Sequence, residues 1–182
     1  MIDFEQLLNE CVTYKKQIWQ IALEEENSED VINCAKKSIL VMKEAIAQGL
    51  KSSELSKSEM CGDDCEKLQK YYSQNHSLFG SLYEKITEYA LATAEENLRM
   101  GRIVACPTAG SCGIVPAVLI SVAEEKNIPQ EKLTDALITA GYIGLIISHR
   151  ISLAGAVGGC QAECGVASAM AAAAAVEMLD GT

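Results

Sequence analysis

The chain has 182 residues, with 15 Lys+Arg against 25 Asp+Glu, a net charge of −10 and 49% hydrophobic residues. That length holds one or two compact domains and buries roughly 70% of the unfolded surface, so a core forms without disulfide support. The acidic balance excludes nucleic acid and an anionic membrane as main partners, since both demand a basic footprint, and the apolar fraction excludes disorder of the whole.

Composition divides near residue 100. Residues 1–100 carry 11 basic and 18 acidic side chains, and residues 101–182 carry 4 and 7. The first part reads as solvated amphipathic helices and the second as the apolar core of one helical domain spanning 1–182. Phe4, Leu7, Leu8, Cys11, Ile18 and Ala22 recur at helical spacing and predict one helix from Phe4 to about Leu23. Asn27 or Ser28 suits the cap of a second helix, with Glu29 and Asp30 in its first turn. Val31, Ile32, Ala35, Ile39, Met42 and Ile46 form its stripe, and Gly49 is the expected stop. Residues 50–75 are polar and read as irregular. A long helix is expected from about Ser77 to Met100, ended by Gly101.

A small-residue loop then runs from Ile103 to Pro116 and opens into a helix. Asn127-Ile-Pro129 breaks that helix, and another is expected from Gln130 to about Ile147. A second Gly/Ala loop, Ser152–Gly159, leads through Cys160 into an Ala-rich helix. The apolar stretches Leu133–Ser148 and Cys164–Leu179 contain Asp135 and Glu177, and each is shorter than the ~20 residues a membrane span needs. They read as buried helices. No strand of period two is evident, so the expected class is all-α, with small-residue loops feeding helix N-termini.

The chain has eight cysteines, and its first residues, MIDFEQLLNECVTYKK, lack a basic segment followed by an apolar run. A cytoplasmic chain with free, metal-bound or catalytic thiols is therefore expected. Cys11 and Cys34 fall on apolar helix faces and read as core.

Three features could carry chemistry. In Thr108-Ala109-Gly110-Ser111-Cys112-Gly113, glycines before a helix let backbone amides converge on an anion, and the Thr108 and Ser111 hydroxyls add donors. The plainer reading is a tight turn with Ser111 as helix cap. Cys160 and Cys164 are four apart and could offer two thiolates to zinc or an iron–sulfur cluster. The plainer reading is core packing, and a zinc site shared with Cys61 and Cys65 is a remoter one. His76 and His149 read as surface or helix-end groups, so no general base is evident.

Read together, two segments point further. Met100–Ala117, with Cys106-Pro-Thr-Ala-Gly-Ser-Cys-Gly113 at its centre, resembles a signature of the iron–sulfur-dependent L-serine dehydratases, in the α chain of the two-subunit form. Gly155-Ala-Val-Gly-Gly-Cys-Gln-Ala-Glu163, followed by Ala167–Ala172, resembles that family's second signature. The resemblance implies L-serine as substrate, pyruvate and ammonia as products, and a [4Fe-4S] cluster held by three cysteines. The open iron of that cluster would act as Lewis acid on the hydroxyl. It maps one cluster ligand onto Cys160 and substrate binding onto Thr108, Ala109, Gly110, Ser111 and Gly113, leaving Cys112 and Cys164 to packing or support.

In the family, the other two cluster cysteines lie in a later segment and a serine- and histidine-rich loop belongs to a β chain. The chain is thus expected to be an α-chain fragment that partners a β chain, is inactive and cluster-free alone, and self-associates through uncovered apolar faces. A cysteine desulfidase-like lyase is the related alternative. A non-catalytic helical module that binds an amino acid or forms a subunit interface is the alternative from another class.

Overall fold

A computed structural model describes residues 3–25 and 27–181. Among these residues it is all-α, as expected: α1 (Phe4–Tyr14), α2 (Ile18–Glu25), α3 (Ser28–Gly49), α4 (Asp64–Gln74), α5 (Ser81–Leu98), a 3-10 turn (Ala109–Ser111), α6 (Ile114–Glu125), α7 (Gln130–Ser148) and α8 (Gly155–Met178). None of these helices is long and apolar enough to cross a membrane.

The core forms around α6, which touches α3, α5, α7 and α8. Its residues Val115, Pro116 and Ala117 and the whole run Leu119–Ala123 are buried, so it is apolar on every side. A helix hydrophobic all round is stable only where neighbours cover all of its faces. α7 and α8 pack closely because Gly144 leaves room for Met170, whose Sδ would lie 2.9 Å from a Cβ there. The Ala-rich face of α8 contributes Ala171 and Ala174 to the same core.

Five expectations need correcting. The single helix predicted from Phe4 to about Leu23 is two helices, divided at Lys15, which adopts a left-handed conformation (φ 53°). The break holds because the amides that open α2 find side-chain acceptors: Gln17 N–H donates to Gln20 Oε1, within α2 itself, at 2.8 Å and Ile18 N–H to the distant Glu177 Oε1 at 2.5 Å. Asn27 stands at the start of α3 but makes no cap bond to the backbone, its amide donating instead to Asp30 at 2.7 Å. The region read as irregular contains α4, a polar helix that buries only Cys65. The helix expected over 77–100 is shorter, and the left-handed residue after it is Met100 (φ 66°), one before Gly101. The remaining thiol expectation divides: Cys11 packs against the core, whereas Cys34 is exposed.

Candidate active site

The two small-residue segments meet. Thr108 is extended (φ −123°, ψ 167°) and leads into the 3-10 turn. Its hydroxyl donates to Glu163 Oε1 of α8 at 2.6 Å. Ser111 Oγ is 3.2 Å from Thr108 Oγ1 and 3.1 Å from the Cys106 carbonyl, so its one proton can serve either acceptor. From the end of α5, Asn97 Nδ2 donates to the Ala109 carbonyl at 3.2 Å. The turn is therefore fastened at three points by side chains from three places in the chain.

Exposure sorts the residues of the turn by task. Thr108 is half-buried and Ala109 and Gly110 are exposed, so these three can meet a ligand. Ser111 and Gly113 are buried and act from beneath. A Cβ at Gly113 would come within 2.6 Å of the Ala90 carbonyl, so this glycine allows α6 to start hard against α5. Gly113 itself holds the cap position of α6 without a side-chain bond, which removes Ser111 from the capping role of the plainer reading.

On the other side, α8 is kinked. Gly159 (φ 74°, ψ 169°) interrupts it, so Gly155–Gly158 form a short first turn and the long part begins at Cys160. Only glycine takes that conformation without strain. Cys160 is exposed, and its Sγ lies 3.8 Å from Cys164 Sγ. The hydrogen bond with Cys160, then burial, pushes the Cys164 thiol up. Gly158 through Cys160 are all exposed, so this turn faces outward beside the Thr108 turn.

A cluster of the type the resemblance implies needs three protein thiolates. Cys160 and Cys164 offer two, and no group of three or more His, Cys, Asp or Glu side chains comes together among the described residues. Cys106 and Cys112 are buried. Desolvation pushes the Cys106 thiol to about 12 and also raises that of Cys112. Cys65, buried beneath α5, is pushed to about 11 by desolvation and then by Glu95, and it donates to the Glu88 carbonyl at 3.6 Å. These are poor thiolates, so the described donor set does not by itself fit a complete cluster.

Thiol reactivity follows the same division, because the thiolate is the nucleophile. Iodoacetamide at about pH 8 should modify exposed Cys34, Cys61 and Cys160 in the native protein and spare Cys65, Cys106 and Cys112 until unfolding. Peptide mapping by mass spectrometry reads this directly, and early labelling of Cys106 would contradict its placement.

Neither histidine joins the site. His76 is almost fully exposed, 3.7 Å from Glu84, and His149 ends α7. An apolar groove of about 360 Å³ is lined by Cys34, Met42, Cys106, Leu137, Tyr142 and Met170, and none of Thr108–Gly113 borders it. It has no charged lining group, so it suits a side chain or an apolar ligand rather than a zwitterion. Sequence reasoning overlooked Glu163 and Asn97. Glu163 is the one acid between Asp135 and Glu177, and a lone charge in a segment of small apolar residues was the available signal.

Comparison with known proteins shows the family. The family model for the serine dehydratase alpha chain matches residues 13–182. The chain is 42% identical over 163 residues to the probable L-serine dehydratase alpha chain of Bacillus subtilis, covering 90% of this chain and 54% of that one. It is 37% identical over 183 residues to the L-serine dehydratase alpha chain of Peptoniphilus asaccharolyticus, covering 97% and 63%. It also matches the L-serine dehydratase of Helicobacter pylori, 41% identical over 104 residues and 23% of that protein. The chain thus spans between 54% and 63% of the length of the two alpha chains it resembles. Both segments that meet at the Thr108–Glu163 bond fall inside the matched region, and the chain belongs to the serine dehydratase alpha chain family.

Proposed function

We propose that this chain is the alpha-chain part of an L-serine dehydratase, a lyase that converts L-serine to pyruvate and ammonia in company with a β chain. The observation that carries the reading is the bond between Thr108 and Glu163, which sets the exposed Thr108–Gly110 turn beside the exposed Cys160 turn. In the overall reaction, loss of the Cα proton and the hydroxyl releases water and leaves an enamine. That species tautomerises to an imine, and water then cleaves it to pyruvate and ammonia.

The chain's own contribution is binding and orientation. Backbone amides of the Thr108–Gly110 turn are suited to an amino-acid carboxylate, while the single Thr108 hydroxyl proton is held by Glu163. Asn97 and Ser111 hold the turn to α5 and to the Cys106 carbonyl, so the donors keep their places when substrate arrives. Cys160 is proposed as one ligand of a [4Fe-4S] cluster, the remaining ligands lying outside the described donor set.

Anaerobic reconstitution with iron, sulfide and the β partner, using an alpha chain that carries this segment together with the later segment to which the resemblance assigns the other cluster cysteines, tests this reading. Pyruvate should form from L-serine in preference to L-cysteine, and Cys160→Ser should abolish both iron retention and turnover. Full activity in Cys160→Ser would overturn the assignment of that thiol. Preferential release of sulfide from L-cysteine would favour the desulfidase-like alternative.

A further inference from the structure

Binding and orientation as described leave one group at the seam without a task. Glu163 is half-buried, and its Oε1 accepts the Thr108 hydroxyl at 2.6 Å. Its carboxylate lies over Gly110, where a Cβ would stand 3.1 Å from Oε2, and over Gly155, where a Cβ would overlap it. The backbone is bare on two sides to seat this group. A carboxylate has about four lone-pair sites, and the described bonds fill one of them. None of the ion pairs among the described residues involves Glu163. It therefore brings unmatched negative charge to the rim of the turn.

A simple carboxylate approaching Thr108–Gly110 would meet that charge and be repelled. An α-amino acid would not, because its ammonium group can neutralise Glu163 while its carboxylate takes the donors of the turn. Recognition built this way rejects the wrong ligand as well as holding the right one. We propose that Glu163 is the specificity-determining residue of this site, pairing with the α-ammonium group of the amino-acid substrate; the inference rests on the serine-processing function proposed above. The Thr108 hydroxyl then acts through Glu163, fixing the direction in which the carboxylate faces.

The test uses the enzyme assembled from an alpha chain that carries this segment with the later cluster-cysteine segment, and its β partner, with L-serine as substrate and 3-hydroxypropanoate, which is serine without its amine, as inhibitor. Glu163→Gln keeps an oxygen for the Thr108 hydroxyl and removes the charge. The KM for L-serine should rise about 10- to 100-fold, the usual worth of a hydrogen bond to a charged group. The inhibition constant of 3-hydroxypropanoate should stay level or fall. An unchanged KM overturns the inference, as does an equal weakening of both ligands, which would mark a loosened loop rather than a lost charge. Thr108→Val supplies a second arm, since it removes the tie and keeps the charge. It should retain the preference for L-serine over 3-hydroxypropanoate, and loss of that preference there would also overturn the inference. A parent enzyme that releases no pyruvate from L-serine defeats the functional reading itself. A parent that does so, with a Glu163→Gln variant of unaltered preference, defeats only this inference.

Discussion

Arg99→Ala should cost about 3–5 kcal/mol of stability, read as a lower urea midpoint at unchanged slope, because it strands a buried carboxylate. Glu95 and Arg99 are one helical turn apart at the end of α5, with side chains only 4% and 8% exposed and 3.4 Å between them. Glu95 Oε1 also accepts the Cys65 amide at 3.0 Å, and Arg99 Nη1 donates to the Glu54 carbonyl at 3.1 Å. The pair thus pins the polar segment 54–65 onto α5, the only close packing partner of α4 among the described residues. The asymmetry between breaking and replacing such a pair gives a sharper check. A double replacement, Glu95→Leu with Arg99→Met, should recover part of the loss, since no lone charge is then buried. It should not recover all of it, because the Cys65 amide loses its acceptor. A loss below about 1 kcal/mol in Arg99→Ala would mean that water reaches Glu95, against the burial described here.

Gly49→Ala should destabilise the protein by about 3 kcal/mol, the upper part of the range for overpacking a core. Helix propensity alone predicts the opposite sign, since glycine in a helix costs about 0.5–1 kcal/mol relative to alanine. The structure decides between them. A Cβ on Gly49 would overlap the carbonyl and Cα of Ala92, backbone atoms of α5 that cannot rotate aside. The helix pair α3 and α5 would have to separate, and Ala35, Ile39 and Ile46 would lose contacts in the core. Gly141→Ala is the matched control. That glycine is also helical, in α7, but a Cβ there meets nothing within 4 Å. It should stabilise by up to about 1 kcal/mol. Thermal unfolding of the two variants side by side checks both signs, and a Gly49→Ala protein as stable as the parent would refute the close approach.

The opposite outcomes expected at two helical glycines show what the sequence makes legible and what it leaves out. Periodicity and punctuation placed α6, α7 and the long part of α8 from Cys160 on, because their signals are local: the Asn127-Ile-Pro129 break, the apolar runs and the glycines around 158–159; the first turn of α8, Gly155–Gly158, lies in the segment read as a loop. Gly49 reads as a stop signal, yet its conformation is helical and the reason for glycine is a neighbour 43 positions away. The division between α1 and α2 was illegible for the same reason, since Glu177 supplies the acceptor for the Ile18 amide. α4 was missed because it buries a single cysteine and shows no apolar stripe. At the candidate site, the turn and the thiols were visible as residue types in a pattern. The carboxylate that joins them was not, because Glu163 only acquires meaning beside Thr108.

Close approach by glycine from both α3 and α6 has a wider consequence for α5. Gly49 meets it at Ala92 and Gly113 meets it at Ala90, both through backbone atoms. A rod gripped on its main chain from two directions can neither rotate about its axis nor slide. The same rod carries Asn97, whose amide holds the Ala109 carbonyl. Genetic lesions that abolish activity should therefore accumulate at a glycine on α3 that touches no ligand, and natural variation should be as restricted there as in the signature segments themselves.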